Sequence, residues 1–200
     1  RIRGRLRLKG VRSTNPVVVG DEVACEADEG GDYVIADILP RRNYVIRRAS
    51  NLSKESHIIA ANVDQALLMA SLRSPETPTE FVDRFLVTCE AYKVPVTILL
   101  SKLDLQDAEA VAEFRAVYEG AGYRVLEVSV REGRGVEEVR ELLAGRTTLV
   151  SGNSGVGKST LIQAIDPSLD IRTGEISESH HKGRHTTTFS TMYPLAGGGA

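Results

Sequence analysis

The chain has no tryptophan, only two methionines and two cysteines, and few aromatic residues. Cys25 and Cys89 lie far apart, so there is no disulfide framework, and a reducing cytoplasm is the expected setting. Cys89 falls within a helical apolar pattern and is expected as a small core residue. A secretory n-region and h-region is lacking at the start, and no run approaches the roughly 20 apolar residues that a membrane span requires. The expectation is therefore a soluble, cytoplasmic, monomeric chain without membrane contact. Excess positive charge is lacking too: the formal net charge is -2, so contact with nucleic acid has to come from a local patch. With 42% hydrophobic and 26% charged residues, the composition excludes a disordered chain. Two hundred residues suffice for one sizeable domain, or for a small and a medium one.

The charge that is present is uneven. Arg1, Arg3, Arg5, Arg7, Lys9 and Arg12 form one run without acids. Arg41, Arg42, Arg47, Arg48 and Lys54 form another. Each run reads either as a nucleic-acid-facing surface or as a solvated strand face. The first alternates basic and mostly apolar residues over 1–8, as a strand with one positive face does. Val17 to Cys25 reads as a second strand with a turn or bulge at Gly20-Asp21. Tyr33 to Leu39 reads as a third, ended by Pro40. Several short strands in so few residues suggest a small OB-fold barrel over 1–48, with a β-extension packed on the next domain as the alternative. The polar segment Arg47 to His57 reads as a linker, with 49–57 as its bounds between domains, and His57 as a surface residue.

From Ile58 strands and helices alternate, which is the pattern of a parallel sheet with helices on both faces. Gln65 to Leu72 is a near-continuous apolar strand, Thr79 to Tyr92 a helix and Val94 to Leu100 a strand. Ala108 to Glu119, Tyr123 to Val128 and Val136 to Leu143 follow as helix, strand and helix. Gly152 to Ser159 reads G-N-S-G-V-G-K-S, which matches G-x-x-x-x-G-K-[ST] between an apolar strand and a helix. Gly152, Gly155 and Gly157 permit a backbone that turns N–H groups toward a polyphosphate at the helix N-terminus. Lys158 would reach the β and γ phosphates, and the Ser159 hydroxyl would ligand magnesium. Earlier in the chain, Ser101-Lys102-Leu103-Asp104 follows the carboxyl end of a strand, where open α/β sheets bind ligands. A carboxylate at Asp104 accepts from both N1–H and the exocyclic amine of guanine, a pair that adenine does not offer. Lys102 can lay its aliphatic stem over the base.

This order of motifs, a Lys-x-Asp loop, a Ser-x-x-x-Gly loop, the phosphate loop and then Gly183-Arg184-His185-Thr186-Thr187-Thr188, resembles that of circularly permuted GTPases. With the β-rich start and Ala61-Asn62-Val63-Asp64, the chain resembles the ribosome small subunit-dependent GTPase family (RsgA, also called YjeQ or EngC). The resemblance implies an OB-fold RNA-binding domain over 1–48 and a permuted α/β P-loop GTPase domain over 58–200. It implies GTP hydrolysis stimulated by the small ribosomal subunit and its rRNA in late maturation. By resemblance, Gly152, Asn153, Ser154, Gly155, Val156, Gly157, Lys158, Ser159 and Thr160 hold the phosphates of GTP or GDP. Ser101, Lys102 and Asp104 take the guanine, with Ser129 and the Val130 N–H closing over the base edge. One of Thr186, Thr187 and Thr188 ligands Mg2+ beside Ser159, Thr186 or Thr187 being favoured. Lys158 and Thr187 serve catalysis, and His185 positions the attacking water, since no glutamine is nearby.

Three departures from the family pattern carry expectations. Ser101 stands where Asn or Thr is common, and a shorter side chain is expected to bridge less well to the phosphate loop. Val130 replaces Ala, with little effect expected from a backbone contact. No Asp-x-x-Gly loop or Cys/His zinc module follows in residues 1–200, so Zn2+ is implied by the family alone. The 200 residues by themselves are expected to be poorly stable and nearly inactive. The remaining His180 and His181 read as part of a switch loop rather than a metal site. Outside the GTPase reading stands an RNA-binding module whose P-loop takes ATP or is structural. A small-molecule kinase is a more distant third.

Overall fold

Alternating apolar residues with opposite partners explain how the parallel strands of this chain are buried. In a computed structural model that describes residues 17–27, 30–48, 56–169, 171 and 190–200, β5 (Gln65–Ala70) is buried along its whole length. Leu67 and Met69 enter one core cluster with Leu99, Leu126, Val139, Leu143, Leu161 and Ile165. Leu68 and Ala70 enter another, with Val82, Leu86, Ile98, Leu100, Val111, Phe114 and Tyr118. Side chains two apart share a face of a strand, so a strand covered on both faces is apolar throughout.

The described elements begin with two antiparallel pairs. β1 (Val23–Ala27) pairs β2 (Tyr33–Ile38) with a register shift between Ala24 and Cys25, and β3 (Tyr44–Arg48) pairs β4 (Ser56–Ala61) with a shift between Val45 and Ile46. These are two separate two-stranded sheets, so a closed OB-fold barrel is not shown among the described residues. The expected strand over 1–8 lies outside those residues, as does the basic run 1–12. The strand expected from Val17 starts at Val23, because 17–22 form a turn fixed by the Asp21 side chain. Its carboxylate accepts from Val18 N at 2.9 Å and from Arg41 Nε and Nη2 at 2.6 and 2.7 Å. Arg41, expected on a solvated or RNA-facing run, is thus half of a bidentate ion pair with a buried partner. Gly20, at φ +89°, is obligatory in that turn, since a Cβ there would lie 2.0 Å from the Ala61 carbonyl oxygen. Both ends of the expected linker are strand: Arg47 and Arg48 belong to β3, and Ser56 and His57 to β4.

The chain forms two compact units, Arg1–Val63 with Phe189–Met192, and Asp64–Thr188 with Tyr193–Ala200. In the second, β5 is followed by α1 (Thr79–Ala91), β6 (Val96–Leu100), α2 (Ala108–Gly120) and β7 (Arg124–Glu127). Then come α3 (Val136–Leu143), β8 (Thr148–Gly152) and α4 (Lys158–Ile165). The sheet is wholly parallel in the order β7-β6-β5-β8. Helices α1 and α2 supply one core cluster, and α3 and α4 the other, so both faces are covered as the alternation predicted. Met69 of the central strand is in register with Leu99 on one side and Gly152 on the other. The loops after β5, β6 and β8 therefore leave the sheet side by side, at the carboxyl ends of the strands.

Candidate functional site

The phosphate loop connects the last residue of β8 to the first of α4. Gly152 has φ +148°, and a Cβ on it would lie 2.5 Å from the Met69 carbonyl oxygen and 3.0 Å from Val156 Cγ1. Gly157, at φ +107°, precedes α4, whose first turn has no side-chain cap and no acidic residue. The free N–H groups and the positive end of the helix dipole are thus left for an anionic ligand. Lys158 Nζ donates to the carbonyl oxygens of Gly152 and Asn153, each at 2.8 Å, so the ammonium is curled over its own loop. Burial lowers the pKa of Lys158, and among the described residues no ion pair with a carboxylate offsets that loss of solvation.

The second loop springs from β6. The buried Ser101 has Oγ 2.8 Å from Val156 O and 3.1 Å from Ala70 O. Its single hydroxyl hydrogen serves one of these acceptors at a time, and the Val156 contact ties the loop directly to the phosphate loop. Short as it is beside the Asn or Thr common at this position, Ser101 reaches the phosphate loop, because the two loops approach closely. Lys102 takes a left-handed conformation, φ +55°, and its Nζ donates to the Ser74 carbonyl oxygen. Asp104 follows within a single 3-10 turn, Leu103–Leu105.

Asp104 is held by its neighbours. Oδ1 accepts from Ser129 Oγ at 2.9 Å, and Oδ2 lies 3.8 Å from Arg131 Nη1. Ser129 is itself buried, with reciprocal backbone bonds to Arg134 at 3.0 Å. The start of this turn is anchored at Glu127, which is paired with Arg115 at 2.8 Å and with Arg134. Gly135, φ +72°, closes it where a Cβ would be 2.3 Å from Glu127 O. Ser129 therefore turns its hydroxyl to the Asp104 carboxylate and orients it.

A cleft of about 270 Å³ unites the loops. Of the expected residues, Ser101, Lys102, Asp104, Val130, Val156, Gly157 and Thr160 line it. Gly152, Asn153, Ser154, Gly155, Lys158 and Ser159 belong to the same phosphate loop, and Ser129 stands behind Asp104. His185, Thr186 and Thr187 lie outside the described residues, so the site as described holds the base and phosphate loops without them. Sequence reasoning missed Met69, Ser74, Leu105, Val128 and Arg131 in the lining. Ser74 lies in a Pro-rich loop, and its only signal was its place just after a buried parallel strand. Among the described residues, no group of three or more His, Cys, Asp or Glu side chains is placed to hold a metal ion.

A glycine loop between a parallel strand and a helix N-terminus, sharing one cleft with a Ser-Lys-x-Asp loop earlier in the chain, defines a P-loop nucleotide-binding domain with permuted motif order. The chain belongs to the RsgA GTPase family, whose model matches residues 38–200. It is 52% identical over 202 aligned residues to the small ribosomal subunit biogenesis GTPase RsgA of Bacteroides fragilis, covering 100% of this chain and 65% of that protein. With the protein of the same description from Christiangramia forsetii it shares 47% identity, covering 98% of this chain and 64% of that protein. The chain thus spans about 65% of the length of the curated relatives it matches. Among solved structures, YjeQ from Thermotoga maritima matches with TM-score 0.63 and 35% identity, over 86% of this chain and 58% of that one. YloQ, described as a circularly permuted GTPase, matches with TM-score 0.54 and 27% identity, over 88% of this chain and 56% of that one.

Proposed function

We propose that the chain is the nucleotide-binding part of a cytoplasmic GTPase that acts on the small ribosomal subunit during its biogenesis. The observation that carries this reading is the Asp104 carboxylate, fixed by Ser129 in the cleft it shares with the phosphate loop. Such a carboxylate pairs with the N1–H and exocyclic amine of guanine. Adenine would leave it desolvated and unpaired, at a cost of about 1–3 kcal/mol or more. The reaction is GTP plus water to GDP plus inorganic phosphate: water oxygen bonds to the γ-phosphorus, and the bond from that phosphorus to the β–γ bridging oxygen breaks.

In that reaction the ammonium of Lys158 would exchange the Gly152 and Asn153 carbonyls for β- and γ-phosphate oxygens. The N–H groups of Gly155 to Thr160 would surround the phosphates. The Ser159 hydroxyl, in the first turn of α4, is a hard oxygen donor of the kind magnesium prefers, and Thr186 or Thr187 would be its partner. When bound, that ion would neutralise charge on the β- and γ-phosphate oxygens. His185 would orient the attacking water. Binding to rRNA would fall to the β-rich N-terminal part, read as an OB-fold over 1–48, while zinc is implied by the family resemblance alone.

The test is affinity for GDP against ADP, in the wild type and in Asp104→Asn. The wild type should prefer GDP. The substitution should weaken GDP by about 10–100-fold and improve xanthosine diphosphate, whose C2 carbonyl suits an amide donor. Equal affinity of the wild type for GDP and ADP would reject the reading in favour of a P-loop used for other ends.

A further inference from the structure

Gln106 lies two residues beyond Asp104, where the chain returns to an extended conformation, φ -93°, ψ 151°. Its Nε2 is 3.0 Å from the Lys102 carbonyl oxygen, 3.3 Å from that of Ser101 and 3.0 Å from Ser71 Oγ. The Ser71 hydroxyl gives its hydrogen to Arg73 O, which leaves a lone pair for Gln106. Chemistry fixes the orientation of the amide, because carbonyl oxygens only accept and the reverse orientation would set Oε1 against two of them. In the orientation adopted, Oε1 is buried and has no hydrogen-bond partner among the described residues. An apolar group of the same shape would avoid that orphaned oxygen but would take the side-chain donor from the Ser101 and Lys102 carbonyls, so the oxygen end does not account for a glutamine here.

The N–H end accounts for it. The Ser101 and Lys102 carbonyls flank the left-handed residue Lys102, a conformation that non-glycine residues adopt at a cost. That turn sends Lys102 Nζ to Ser74 O and brings Asp104 to Ser129. We infer that Gln106 is a positioning residue for base recognition: from behind the loop it holds Ser101 and Lys102 in the left-handed turn that presents Asp104 and the Lys102 stem to guanine. It does so without lining the cleft. The inference rests on the reading of the cleft as a guanine site.

Calorimetric titration of the full chain with GDP and with ADP tests it, using the wild type, Gln106→Met and Gln106→Lys. Met keeps the shape and removes both the donors and the orphaned oxygen. Its melting temperature should stay within about 3 °C of the wild type, while GDP affinity falls about tenfold. ADP affinity should hold, so the preference for GDP shrinks by the same factor. Lysine offers three N–H donors to the three acceptors, and should retain GDP affinity within about twofold. Unchanged GDP affinity in Gln106→Met, an equal fall for GDP and ADP, or an equal fall in the Met and Lys variants would each overturn the inference. Should Gln106→Met fail to fold, Gln106→Glu replaces it: a carboxylate facing the same oxygens must bind GDP more weakly than the Lys variant, and equality would overturn the inference. A wild type that does not distinguish GDP from ADP removes the guanine reading and this inference together, and that failure shows before any variant is made.

Discussion

A methyl group on Gly152 would lie 2.5 Å from the Met69 carbonyl oxygen, on a backbone at φ +148° that L-residues rarely adopt. The neighbour is main chain in the central strand, which cannot rotate away. Gly152→Ala should therefore destabilise the second compact unit, Asp64–Thr188 with Tyr193–Ala200, by about 1–3 kcal/mol and reduce nucleotide affinity as well, because the displaced residue begins the phosphate loop. Urea unfolding beside a GDP titration checks both effects. Unchanged stability would mean that β5 and β8 separate more readily than their pairing indicates. At this scale most of the site was legible. The glycine spacing and Lys158 followed from the motif, and Asp104 from its position after a strand. Gln106 was not legible, since its role depends on carbonyl oxygens with no sequence signature and on Ser71, 35 residues away.

Asp166 shows how one side chain fixes the end of an element. It follows α4 directly, and its carboxylate accepts from Ser168 Oγ at 2.6 Å, Ser168 N at 3.1 Å and Ala196 N at 2.8 Å. These bonds, the Ser168 hydroxyl foremost and then the Ala196 N–H, hold its carboxyl below the usual range, aided by the charge of Arg140. Arg140 on α3 also donates to the Ala164 and Ile165 carbonyls, so the last turn of α4 is capped from a neighbouring helix. A carboxyl depressed in the folded state stabilises it above the unfolded value, about pH 4, and the contribution is lost as pH falls through the folded value. Asp166→Asn should melt below the wild type at pH 7, and the gap should close below about pH 4. A gap that does not change with pH would mean that the charge contributes nothing. Among the elements, α3 was read with its observed bounds because Val136, Val139 and Leu143 mark one face. β3 and β4 were missed: Val45, Ile58 and Ala60 are buried, but polar flanks and the adjoining β5 run made the second of these strands look like the start of the βα repeat. Pairing partners decide such segments, and a local pattern does not name the partner.

Across the molecule, β5 is the member that the base and phosphate loops share. It pairs β6 on one side and β8 on the other, although β8 lies some eighty residues later in the chain. Parallel pairing was legible from the alternation of strands and helices, whereas the order β7-β6-β5-β8 was not, because nothing local says that β8 returns beside β5. That order makes nucleotide binding a clamp on the sheet, since a ligand contacting Asp104 and Lys158 at once joins the two neighbours of β5. A ligand that binds only the folded form at 100 times its dissociation constant adds about 2.7 kcal/mol to the unfolding free energy. Hydrogen exchange should report that gain in the amides of β5, β6 and β8, where opening requires the clamp to break. The β1–β2 hairpin, in the other compact unit, should exchange at an unchanged rate. Asp104→Asn should cut the added protection by GDP at the same concentration to about 0.4–1.4 kcal/mol while leaving the nucleotide-free pattern intact. If GDP protected β8 alone, the base loop would not share in binding, and the permuted arrangement would hold the phosphates without reading the base.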